Sequence, residues 1–70
     1  MITIMRVPDG HKDLTYESGM TVNDAIEMAD WELKDNEEVR LNGRPVNGNG
    51  LDTELRDNDA VLIVKNISGN

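Results

Sequence analysis

The stretch Thr21-Val22-Asn23-Asp24-Ala25-Ile26-Glu27-Met28-Ala29 decides the fold. Val22, Ala25, Ile26 and Ala29 recur at i, i+3, i+4 and i+7, while Asn23, Asp24, Glu27 and Asp30 fall on the opposite side. This spacing predicts an amphipathic helix of about ten residues. Thr21 stands where an N-cap belongs. Asp24, three residues on, completes a capping-box pattern with Asp in place of Glu, and Asp24 and Glu27 suit the positive end of the helix dipole. An apolar stripe on a single helix has to cover something, and the rest of the chain reads as strands, so the helix is expected to lie across one face of a sheet.

Working outward, Ile2 to Val7 is rich in β-branched and apolar residues, and Pro8-Asp9-Gly10 follows as turn chemistry. His11 to Tyr16 is the returning strand, with Leu14 and Tyr16 on one face and Lys12 and Asp13 marking an exposed edge. Beyond the helix, Trp31 and Leu33 are placed at the bottom of the core, and Lys34 to Glu38 is read as a polar connection. Val39 and Leu41 alternate with Arg40. Asn42-Gly43 is a strong hairpin signal, since a type I′ turn needs positive φ at both central positions. Arg44-Pro45-Val46 is a short return strand, confined to an edge because Pro45 cannot donate to a ladder. Leu51 and Leu55 suggest one helical turn, and Arg56-Asp57-Asn58-Asp59 turns the chain into Ala60 to Val64. Val61-Leu62-Ile63-Val64 is apolar on both alternations, as a central strand requires. The expected fold is α+β, a mixed sheet of four to five strands crossed by one α-helix. Residues 1–66 form the expected domain and 67–70 a flexible C-terminal tail.

Composition sets limits on function. The chain has 70 residues, 7 Lys+Arg against 14 Asp+Glu, a formal net charge of −7 and no cysteine. Val, Ile and Leu number 17, enough for a core but not for a deep enclosed active site. Without cysteine there is no disulfide framework, thiolate zinc site or cysteine nucleophile. The acidic balance speaks against direct nucleic-acid binding and against anionic membranes. No apolar run reaches the length of a membrane span and no signal-peptide core is visible, so a cytoplasmic location is expected.

The motifs Pro8-Asp9-Gly10, Gly19-x-Thr21-Val22-x-Asp24-Ala25-Ile26, Val39-x-Leu41-Asn42-Gly43-x-x-Val46 and Leu55-x-Asp57-x-Asp59-x-Val61-x-Ile63 occur in this order along nearly the whole chain. In this the sequence resembles the ubiquitin-like β-grasp domains. Its front half is similar to the TGS domain and its rear half to the thiamine-biosynthesis (ThiS-type) and molybdopterin (MoaD-type) sulfur carriers. The resemblance implies a five-strand mixed sheet whose first and last strands pair in the middle. Those carriers act through a C-terminal Gly-Gly whose carboxylate is adenylated and converted to a thiocarboxylate. Here the sequence ends Ser68-Gly69-Asn70, with a single glycine, which departs from that pattern.

No catalytic residue, cofactor or metal site is expected. His11 is the only histidine, and Asp52, Glu54, Asp57 and Asp59 crowd a turn without the spacing of a calcium loop. The informative residues are apolar. If Ile2, Ile4, Val61 and Ile63 face the helix, then Met5, Val7, Leu62 and Val64 lie on the open face, because strand side chains alternate. Arg6, Arg40 and Lys65 are the long charged stems that could cover this patch. The first expectation is therefore a non-enzymatic interaction module that binds a protein partner through Met5, Val7, Leu62 and Val64, a homodimer being allowed. A second is a diverged carrier or modifier acting through Ser68, Gly69 and Asn70. A third is an acidic inhibitor or mimic that occupies a basic nucleic-acid-binding site with Asp24, Glu27, Asp30 and Glu32.

Overall fold

The computed structural model describes residues 1–65. The expected tail, with Ser68, Gly69 and Asn70, lies outside the described residues. Strand β1 (Ile2–Arg6) turns through a cis Val7–Pro8 peptide into β2 (Gly10–Leu14), and helix α1 (Val22–Met28) follows. Strands β3 (Glu37–Leu41) and β4 (Arg44–Pro45), a 3₁₀ segment (Gly48–Asp52) and β5 (Ala60–Lys65) complete the order. The five strands form one sheet in the order β2-β1-β5-β3-β4. β1 and β5 run parallel at its centre, and the other pairs are antiparallel.

The helix starts as the sequence predicts. The Thr21 hydroxyl accepts from Asp24 N–H at 3.2 Å, and the Asp24 carboxylate accepts from Thr21 N–H at 3.0 Å. It ends sooner than predicted, after seven residues, with Ala29 as its C-cap. Asp30 adopts φ 62°, Trp31 N–H donates to Ile26 O at 3.2 Å and Asp30 N–H to Glu27 O at 2.9 Å. That is a Schellman ending, in which a left-handed residue stops the helix and satisfies its last carbonyls. Asp30 therefore lies beyond the helix. Lys12, on β2, donates its ammonium to Ala29 O and sits 5.1 Å from the Trp31 ring centroid, supplying the cation that the last turn lacks.

Val22, Ala25, Ile26 and Ala29 pack onto Ile2, Ile4, Val39, Val61 and Ile63, all buried. Each fully buried Val or Ile contributes roughly 1.5–3 kcal/mol. Leu55 is also buried, though not as part of a helical turn, which falls at Gly48–Asp52 rather than over Leu51 to Leu55. Leu55 N–H donates to Met20 O at 2.8 Å, and Val22 N–H to Thr53 O at 3.1 Å, so residues 53–55 strap the start of α1. β2 leaves the ladder at Leu14, two residues before the predicted end, while Tyr16 still packs against the core.

A short helix cannot cover the whole sheet, and a buried ion pair closes the end it leaves bare. Arg6 Nε donates to Glu37 Oε2 at 3.0 Å and Nη2 to Glu37 Oε1 at 2.9 Å, with side-chain exposures of 10% and 2%. Arg6 Nη2 also reaches Glu32 O at 3.3 Å, and Asp9 Oδ2 lies 3.5 Å from Nε. Lys34 N–H donates to Glu37 Oε1 at 2.9 Å. Burial alone would push the Glu37 carboxyl up; the Lys34 N–H, then the Arg6 hydrogen bond and charge, outweigh it and hold the carboxyl below its ordinary value. This anchoring explains why β3 begins at Glu37, inside the segment predicted as a connection.

Candidate functional site

The open face of the sheet is built by strand alternation. Ile2, Ile4 and Arg6 of β1 and Val61 and Ile63 of β5 are buried on the helix side. Thr3, Met5 and Val7, and Ala60, Leu62 and Val64, fall on the other side. The register sets Met5 beside Leu62, and Val7 N–H donates to Ile63 O at 3.1 Å, which brings Val7 next to Val64. Met5, Val7, Leu62 and Val64 thus form one apolar block on the two central strands. Met5 is 42% and Val7 50% exposed, while Leu62 and Val64 are half-buried.

Across the middle of this face the paired residues run His11, Met5, Leu62, Arg40, Pro45 from edge to edge. Of the three long charged stems considered as cover, two are absent from this face. Arg6 and Lys65 share the parity of Ile4 and Ile63, and Arg6 is occupied by Glu37. Only Arg40 belongs to the open side, where its Nε bonds Glu38 Oε2 at 2.7 Å beside Leu62 and Val64.

Two shallow hollows flank Met5. One, of about 250 Å³, is lined by Met5, Arg6, Val7, Pro8, Gly10 and His11. The other, of about 330 Å³, is lined by Thr3, Met5, Asn42, Gly43, Ala60, Val61 and Leu62. Thr3, Ala60, Pro8 and His11 join this surface beyond the four residues expected from the sequence. Parity alone could have found Thr3 and Ala60, since each stands two residues before an expected patch residue. Asn42 was read as turn punctuation. It adopts φ 51° beside Gly43 at 88°, as a type I′ turn requires. It also clips the turn to β5, accepting from Ala60 N–H and donating to Asp59, both at 2.9 Å.

The acidic residues Asp24, Glu27, Asp30 and Glu32 are all exposed but do not form one helix face. Asp24 is engaged in the cap, and Asp30 and Glu32 lie past the end of α1. Of the carboxylates read as crowding a turn, Asp52, Asp57 and Asp59 have partners of their own, Asp52 accepting from the Asn23 amide at 3.3 Å. Asp57 pairs with the Met1 ammonium, and Asp59 accepts from Arg56 N–H at 2.8 Å. Among the described residues no group of three His, Asp or Glu side chains gathers where it could hold a metal ion, and no helix is long and apolar enough to cross a membrane.

A parallel pair of central strands, a hairpin on each flank and one helix across a single face define a ubiquitin-like β-grasp domain. The solved structure of SAMP1 from Haloferax volcanii superposes with a TM-score of 0.76 at 18% sequence identity, over 99% of this chain and 98% of that one. No protein-family model matches the sequence, and no curated protein does.

Proposed function

We propose that this β-grasp domain works without catalysis, binding a protein partner through its open sheet face. The observation that carries the reading is the block of Met5, Val7, Leu62 and Val64 on the two central strands, on the side away from the helix, where Arg40 borders it and Arg6 and Lys65 do not. Contiguous apolar surface of this kind marks interaction sites in small soluble domains. The hollows on either side of Met5 give a partner's side chains somewhere to anchor.

Leu62→Glu places a charge at the centre of the face while Val61 and Ile63 keep their core contacts. In affinity capture from host-cell extract, the wild-type domain is expected to retain a partner at high salt and the variant to lose it. Unchanged capture by a folded variant would reject the reading.

The likeness to SAMP1, a ubiquitin-like small archaeal modifier protein, favours a second reading, that of a modifier or sulfur carrier acting through its C-terminus. Ser68-Gly69-Asn70 is then the segment that must be processed or activated. Intact-mass analysis of the protein purified from its host tests this, a thiocarboxylate or a conjugate being the supporting result.

A further inference from the structure

β2 is an edge of the sheet, with no strand beyond it among the described residues, and its pairing with β1 fixes which of its backbone groups face outward. Thr3 N–H and Val7 N–H donate to Asp59 O and Ile63 O at 3.1 Å, so the odd-numbered residues of β1 bond to β5 and the even-numbered ones to β2. Ile2, Ile4 and Arg6 are paired with Leu14, Lys12 and Gly10. The backbone N–H and C=O groups of His11 and Asp13 therefore point out of the sheet edge. The opposite edge offers no such template: β4 is two residues long and includes Pro45, and past it the Asn47 side chain, not backbone, takes Val39 N–H at 3.0 Å.

We propose that β2 pairs antiparallel with β2 of a second copy, about a two-fold axis at Lys12, joining the two sheets into one. Such an edge contact exchanges hydrogen bonds only between outward-facing residues, which leaves three registers within the strand. His11 opposite His11 also sets Asp9 against Asp13, and Asp13 opposite Asp13 sets two carboxylates together. Only His11 opposite Asp13 matches unlike groups, and two-fold symmetry makes that match twice. Imidazole offers an N–H to a carboxylate in either protonation state. Thr3 Oγ1 donates to Asp13 Oδ1 at 3.1 Å, holding that carboxylate on the open face, where His11 also lies, and leaving its other oxygen for the second copy.

Two like charges meet at the axis, but each Lys12 ammonium is drawn back over its own helix end and Trp31. The net charge of −7 belongs to the whole chain, whereas Gly10 to Leu14 holds one Lys and one Asp and is locally balanced. The pairing uses the backbone edge of the sheet and not the apolar block; His11 borders the hollow beside Met5, so Leu62→Glu, which alters the block alone, separates this pairing from the proposed partner face.

Sedimentation velocity at protein concentrations up to about 1 mM reads it, since contacts this small associate weakly. The wild type is expected to dimerise, and His11→Asp and Asp13→Lys each to dissociate about tenfold more readily, His11→Asp keeping the monomer's thermal unfolding while Asp13→Lys also gives up the bond from Thr3. The exchange His11→Asp with Asp13→His is expected to restore the dimer, and Leu62→Glu to leave it intact. A wild type that stays monomeric, a dimer indifferent to both single variants, or an exchange that fails to restore it would each overturn the proposal.

Discussion

Glu37 and Arg6 show how much a small sheet protein entrusts to single side chains. With so few residues the core has one layer, and the end that α1 does not reach is closed by an ion pair rather than by hydrocarbon. Removing one partner from a buried pair costs about 3–5 kcal/mol because the other charge is left uncompensated. Glu37→Gln is expected to cost less, about 2–3 kcal/mol, since Asp9 remains 3.5 Å from the guanidinium. Urea denaturation at neutral pH measures this. The Glu37 carboxyl is held below its ordinary value in the folded state, so its contribution is complete above that value and fades as pH falls through the lowered one. The stability gap between wild type and Glu37→Gln is thus expected to narrow in acid; a gap that is constant from neutral pH to well below the ordinary glutamate range would contradict the pair's role. This pairing was not legible in the sequence. Arg6 shares the face of Ile2 and Ile4 in a strand read as apolar, and its partner lies 31 positions away inside a stretch read as a polar connection.

At the scale of elements, local chemistry was the legible part. The capping box, the Asn42-Gly43 turn and the two-faced last strand each follow from bonds or dihedrals that neighbouring residues determine. What depended on distant partners was displaced: the helix stops early, β3 starts early, and the helical turn shifts toward Gly48. The early helix stop has a residue behind it. Asp30 occupies a left-handed conformation that glycine adopts without penalty. Asp30→Gly is expected to stabilise the domain by about 0.5–1 kcal/mol, read as a higher denaturant midpoint with an unchanged slope. A lower midpoint would show that the Asp30 side chain contributes more than its backbone costs.

For the whole molecule, strand order converts a sequence pattern into a surface. β1 and β5 are adjacent and central, so two alternating strands far apart in the chain combine their outward residues into one apolar block. That block was legible because parity fixes it once both strands are assigned. Its freedom from Arg6 and Lys65 was not, because the sequence does not say to which side a long side chain will be recruited. The free β2 edge adjoins the same face, so two-fold pairing through His11 and Asp13 would set two such blocks side by side. The direct test of the central claim is photo-cross-linking in host cells with a benzophenone side chain at Met5, on the open face, or at Asn23, on the exposed side of α1. A discrete protein adduct is expected from position 5 and none from position 23. Adducts from position 23 alone would contradict the claim and move the working surface to the helix.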